Sequence, residues 1–384
     1  MDLSFLVVVV IITALVFDFT NGFHDTANAM ATSIATGALR PKVAVAVSAV
    51  LNLVGAFLST AVAKTISSGL VDDTKVTVPI IFGGLVGAIL WNVMTWYFGL
   101  PSSSSHALFG GLIGATWIAA GSSAVNFATV VQKIIIPAVA APIVAGVVAM
   151  LGTFVAYKIT QRARQKSVND GYKAGQVASA SLLSLAHGTG DAQKTMGVIT
   201  LVLIISGSLA PGSGPPTWVI LTAGLAIALG TYFGGWRIIR TMGRGLTDVE
   251  SPQGFTAETS STAVLLASSH LGFPLSTTQV CSGSILGTGV GKRLAQVRWT
   301  VAGRMAMAWL FTLPSAAVVG AMAGRIADTG NAGVVIVATL AIVAGGGLYV
   351  ASRRRPVTPQ NVNEYPAPDA APDAAPDATT ATTV

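Results

Sequence analysis

Two short segments set an acid among small and amide-bearing residues. One is Asn21-Gly22-Phe23-His24-Asp25-Thr26-Ala27-Asn28, the other His187-Gly188-Thr189-Gly190-Asp191-Ala192-Gln193-Lys194. Laid over each other, Asp25 falls on Asp191 and Asn28 on Lys194. Carboxylate, amide and hydroxyl oxygens are what a hard cation takes as ligands, so Asp25, Asn28, Asp191 and Gln193 are candidates for holding one. The bland alternative is a pair of carboxylates capping helix ends. A second pair of segments carries hydroxyls: Leu100-Pro101-Ser102-Ser103-Ser104-Ser105-His106 lies over Phe273-Pro274-Leu275-Ser276-Thr277-Thr278-Gln279. A Pro ahead of such a run favours a helix start, where unpaired N–H groups and the positive dipole end await an anion. Ser103, Ser104, Ser105, Thr277, Thr278 and Gln279 therefore offer donors to a tetrahedral oxyanion, with Asp25, Asp191 and Lys194 beside it.

Three further charged residues bear on that chemistry. Lys194 stands where the first segment has Asn28, so its ammonium either neutralises the anion or occupies the place of a coupling cation; the competing reading is a lysine that snorkels to interfacial water. Glu258, early in the helix preceding Phe273, is a desolvated carboxyl suited to proton carriage, or else an interfacial residue. Asp18 lies two turns before Asp25 and is a partner within the helix or part of a vestibule. The four histidines, His24, His106, His187 and His270, invite a metal-hydrolase reading, but no His-Glu-x-x-His pair supplies two ligands and a base. Neither an enzyme activity nor a resident metal or cofactor is expected.

The elements that must position these residues are membrane helices. The chain of 384 residues is 52% hydrophobic and 10% charged, with mean hydropathy +0.69, whereas soluble domains carry about 25% charged residues. Apolar stretches near 3–20, 43–63, 76–98, 130–157, 218–236, 299–323 and 332–350 approach the roughly 20 residues that cross a bilayer. The first lacks the basic flank of a signal peptide and reads as a membrane helix. The net charge of +7 sits in short runs between apolar segments, which marks cytoplasmic loops rather than a nucleic-acid face. Gln161 to Lys173 and Arg353 to Arg355 are accordingly placed inside, with the C-terminus cytoplasmic. Segments 76–98 and 102–119, broken at Gly99 and Pro101, then form a hairpin re-entering from outside. Segments 256–270 and 274–291, broken at Gly272 and Pro274 and followed by Lys292, Arg293 and Arg298, form one from inside.

The two motif pairs, together with Gly110 and Gly114 over Gly283 and Gly287, mark an internal duplication, and opposite orientation of the two copies reconciles it with the basic loops. The expected fold is all-α and integral to the membrane. It has two inverted-topology repeats with broken helices, two re-entrant hairpins and about ten to twelve helical segments; the long segments 3–35 and 176–209 are candidates for further breaks. Residues 1–160 form the first repeat, 161–175 a cytoplasmic linker, 176–352 the second repeat and 353–384 a disordered Ala/Pro/Asp-rich tail. The lone Cys281 excludes an intrachain disulfide.

At these motifs the chain resembles the inorganic phosphate transporter (PiT) family, over about residues 3–351. The resemblance implies a phosphate symporter of the cell membrane, driven by protons or sodium through alternating access, in some members with metal-phosphate as substrate. A sulfate permease and a passive anion channel are the alternatives. The implied partners are inorganic phosphate, the coupling cation and lipid; self-association is left open and nucleic acid is not among them. One departure stands out: Gly190 occupies the position before Asp191 where the family usually has Asn.

Overall fold

The computed structural model describes residues 4–292 and 297–364. Arg293, expected in a cytoplasmic loop, and the tail from 365 lie outside the described residues. Among those described, the chain is helical: α1 Phe5–Ala35, α2 Pro41–Gly55, α3 Ala61–Gly69, α4 Val78–Tyr97, α5 Ser104–Ala120, α6 Phe127–Thr160, α7 Gln165–Ile205, α8 Thr217–Phe233, α9 Trp236–Gly245, α10 Ser251–His270, α11 Thr277–Lys292, α12 Trp299–Ala327 and α13 Asn331–Ser352. Helices α6 and α9 each contain a π-helical turn. Five helices, α1, α4, α6, α12 and α13, are long and apolar enough to cross a membrane, and a sixth if α8 and α9, bent by 62°, count as one. Their outer faces expose large apolar side chains such as Val139, Leu310 and Ile342, the surface lipid requires.

The breaks differ from expectation. α1 runs unbroken for 31 residues and α7 for 41, because neither contains a proline and their small residues admit close neighbours. A Cβ on Gly22 would fall 2.2 Å from the Ile227 carbonyl oxygen, and one on Gly188 2.3 Å from that of Asn52. Most of the expected linker is the start of α7, leaving only residues 161–164 non-helical. The expected span 43–63 instead splits after α2, and 218–236 bends at Gly234, whose φ of +71° suits glycine. The N–H groups exposed where α3 begins are answered by Gln193 Oε1, which accepts from Val62 at 2.7 Å and Ala63 at 3.3 Å. The predicted tail is also ordered further than expected: Val362 is buried and Asn363 donates to the Ile34 carbonyl.

α1 and α7 lie side by side and antiparallel. Thr36 donates to Gln176 at 2.8 Å near one end, and Asn21 to Asp191 at 3.4 Å near the middle. Two apolar cores flank that middle. Val7, Val10 and Phe17 of α1 share one with Val198, Leu201 and Val202 of α7; Ala27, Met30 and Ile34 share the other with Ala180, Leu183 and Ala186. Between them sits a polar belt in which Asp18, Asn21, Asp25, His187, Asp191 and Lys194 are each at most 1% exposed.

The two hairpins deliver their tips to this belt by reciprocal packing, α5 against α12 and α11 against α6. Glycines make the approach close. A Cβ on Gly114 would meet the Ala317 carbonyl oxygen at 2.0 Å, and one on Gly287 that of Gly146 at 2.0 Å. Gly114→Val and Gly287→Val should each cost about 1–3 kcal/mol or more through overpacking and lower the Tm in detergent. Gly345→Val, which meets nothing within 4 Å, should leave it near wild type. Equal Tm values for all three variants would contradict this packing.

Candidate functional site

Each hairpin tip begins with the same cap. Ser103 Oγ accepts from the His106 N–H at 3.1 Å, and Ser276 Oγ from the Gln279 N–H at 3.3 Å, which opens both helices toward the belt. The tips touch, since Ser105 Oγ donates to the Leu275 carbonyl at 3.3 Å. Ser103 thus accepts from its own helix as a cap, which leaves its hydroxyl proton free to donate. Ser104 keeps the expected freedom: its hydroxyl is buried with no hydrogen-bond partner.

The carboxylates lie against these tips, mid-helix rather than at helix ends, so the capping reading of Asp25 and Asp191 does not hold. Thr277 is within reach of both, 3.3 Å from Asp25 Oδ2 and 3.2 Å from Asp191 Oδ2. Thr278 donates to Asp25 Oδ1 at 3.3 Å. Asn28 donates to Thr277 at 3.2 Å and Thr278 at 3.1 Å, leaving its own Oδ1 unpartnered. Asp25, Asn28, Asp191, Thr277 and Thr278 therefore meet as the motif spacing requires. Gln279 is buried beside them in the first turn of α11.

Lys194 supplies the belt's ammonium. Its Nζ donates at 2.5 Å to both Asp191 Oδ1 and Ser105 Oγ, so it joins the second carboxylate to the first tip, and the snorkelling alternative is excluded at 1% exposure. Histidines complete the shell. His24 Nδ1 is 2.7 Å from Asp25 Oδ1, and its Nε2 is 3.3 Å from Thr95 Oγ1 and 3.4 Å from Ser102 Oγ. His187 Nε2 is 3.3 Å from Asp191 Oδ2, and its Nδ1 is 3.1 Å from Asn52 Oδ1. Asp25, His187 and Asp191 each offer a ligand atom within 4.8 Å of the others, a grouping able to receive a cation although no metal centre was expected.

Sequence reasoning missed the roles of Asn21, His24 and His187. The available signal was that Asn21 and His187 occupy the same position in the duplicated motif. Two expected coupling residues lie elsewhere. Gln193 caps α3, as described, and donates to the Thr189 carbonyl; it faces away from the carboxylates. Glu258 sits in a separate cage, where its Oε1 accepts from Thr32 at 2.7 Å, Ser33 at 2.5 Å and Gln176 at 3.1 Å, and its Oε2 from Ser179. It ties α10 to α1 and α7 in the buried interior, not at an interface. Gly190 faces Ser269 Oγ, 3.1 Å from where a Cβ would stand.

A cavity of 520 Å³ lies alongside, lined by Phe23, Trp96, Trp236, Arg237 and residues of the C-terminal segment. It abuts the first motif at Phe23 but is not lined by the tips or the carboxylates. Arg237 closes its rim by donating to the carbonyls of Tyr97, Ser352 and Arg355.

Residues 21–320 match the model of the phosphate transporter family. A Mycobacterium bovis protein described as "Probable low-affinity inorganic phosphate transporter" is 55% identical over 94% of this chain and 87% of its own length. A Bacillus subtilis protein with the same description is 41% identical over 84% of this chain and 97% of its own. A solved structure, "The sodium-dependent phosphate transporter", superposes with a TM-score of 0.72 at 22% identity, covering 85% of this chain and 100% of that one, which establishes likeness of fold. This chain belongs to the phosphate transporter family.

Proposed function

We propose that the protein is a secondary active symporter that moves inorganic phosphate across the cell membrane together with a proton, by alternating access between two inverted repeats. The observation that carries this reading is the meeting of two hydroxyl-bearing helix starts with two carboxylates in one buried belt. Hydroxyls and N–H groups at the tips suit the oxygens of a tetrahedral anion. Carboxylates facing the same space are acceptors, and they favour an anion that still carries a proton, phosphate over sulfate.

Charge explains why a cation must accompany the anion. Asp25 and Asp191 against Lys194 leave the belt with surplus negative charge, and a phosphate added in a low-dielectric interior is repelled unless positive charge enters with it. Antiparallel α1 and α7, with the reciprocal hairpin packing, support inverted repeats. A site whose Ser, Thr, Asp, Asn and Lys side chains are all at most 5% exposed suits a carrier with an occluded state better than a passive channel.

Lys194 decides the choice of cation. Its ammonium already satisfies Asp191 where the other half offers only the Asn28 amide, so one locus that would take a sodium ion is filled by the protein itself. Wild-type protein in liposomes should accumulate labelled phosphate under an acid-outside pH gradient and not under a pure sodium gradient at matched pH; strong sodium-driven accumulation would refute this. Lys194→Asn should make uptake respond to sodium, and a variant as indifferent to sodium as wild type would show that the ammonium holds no cation's place.

Losing either carboxylate removes charged hydrogen bonds worth about 1.5–3 kcal/mol, or roughly ten- to hundredfold in rate or affinity. Asp25→Asn and Asp191→Asn should lower initial phosphate uptake by that factor while the protein still reaches the membrane. Uptake within twofold of wild type in both would remove the carboxylates from the mechanism.

A further inference from the structure

We infer that Asp18 is the residue that carries the coupled proton. This rests on the proton-symport reading and assigns it to a group outside the anion site. Asp18 lies on α1 two turns before Asp25, is 0% exposed, and neither of its oxygens has a hydrogen-bond partner. The other buried carboxylates are all supplied with donors: Asp25 by Thr278, Asp191 by Lys194 and Asn21, with the one Thr277 hydroxyl proton in reach of either, and Glu258 by four side chains. Around Asp18 only Asn21 and Thr195 stand near enough to act as donors, and neither reaches hydrogen-bond geometry, so an ionised Asp18 buried in an apolar membrane helix is costly.

The unpartnered atoms around Asp18 point to the same state. Asn21 and Thr195 are its neighbours. Asn21 Oδ1 and Thr195 Oγ1 are themselves buried and unpartnered, because the Asn21 amide nitrogen is turned to Asp191. A single proton on Asp18 resolves all four atoms: the acid O–H donates to Asn21 Oδ1, and its carbonyl oxygen accepts from the Thr195 hydroxyl. The charged groups facing Asp18 are Asp191 and Lys194, both on α7. Of the other helices that pack against α1, α4 and α8 carry no Asp, Glu, Lys, Arg or His, and α2, α5, α9, α10 and α11 bring Lys42, His106, Arg237, Arg240, Arg244, Glu258, His270 and Lys292, none of them among the groups acting on Asp18.

This placement provides a route from proton to substrate site. Thr195 adjoins Lys194, and Lys194 joins Asp191 to the Ser105 tip. When Asp18 gives up its proton, the bare carboxylate competes with Asp191 for the Lys194 ammonium and weakens the hold of α7 on the first hairpin. When it is protonated, that hold is restored. Proton release and tip opening are thereby linked through one side chain, with no bond made or broken other than the O–H of Asp18.

The test uses the full chain in liposomes. With one proton per phosphate, a gradient of one pH unit supports up to about tenfold accumulation. Asp18→Asn should still exchange internal for external labelled phosphate yet settle at about onefold, while Asp18→Glu accumulates. Asp18→Asn accumulating like wild type overturns the inference. Wild-type protein that ignores the pH gradient and follows sodium instead overturns the proton-symport reading, a separate outcome visible without any variant. If Asp18→Asn neither exchanges nor accumulates, infrared spectra of purified protein at neutral pH decide. The wild-type minus Asp18→Asn difference spectrum should contain the carbonyl band of a buried protonated carboxyl, and that band should shift in Asp18→Glu; a difference spectrum with no such band overturns the inference.

Discussion

The contact between Lys194, Asp191 and Ser105 is the interaction on which the rest of the structure depends. An ammonium buried away from water is tolerable only if its hydrogen bonds are met by a carboxylate and a hydroxyl at close range. Meeting that demand brings α7 and the first hairpin together at one point. The Asp25 side answers with neutral groups: Thr277, Thr278 and Asn28 join α1 to the second hairpin. One half of the belt carries a lysine ammonium, and the other joins Asp25 to the His24 imidazole and to amide and hydroxyl groups, so the two halves differ in chemistry.

The framework makes such a belt affordable. Apolar surface cannot drive helices together in lipid, because lipid is equally apolar, so close backbone approach through small residues must do so. Gly110 and Gly114 against α12, and Gly283 and Gly287 against α6, bring each hairpin against a long helix distant in sequence.

Much of this was legible in the sequence because its motifs come in matching pairs. The pairing of Asp25 with Asp191 and of the Ser and Thr tips corresponds to physical neighbours, while the glycine pairs mark equivalent contacts with two different helices, α12 and α6. Helix breaks were less legible. Gly22 and Gly188 look like interruptions but are contact points inside unbroken helices, whereas the break after α2 has no proline and depends on Gln193, distant in sequence, to cap the next helix. Gln193 was misplaced for the same reason: an amide in a motif reads as a ligand until the helix it caps is known. The cage around Glu258 and the isolation of Asp18 depend on which side chains of three helices meet, information no single segment contains.

The central claim is that the oxyanion is held between the two tips beside the paired carboxylates. Soaking or co-purifying the protein with arsenate, a tetrahedral analogue of phosphate with a strong anomalous signal, and locating the arsenic atom by diffraction tests it most directly. The account predicts one peak within hydrogen-bonding reach of Ser104, Ser105, Thr277 and Thr278. A peak in the Arg237-lined cavity instead, with the tips still closed on each other, would contradict it.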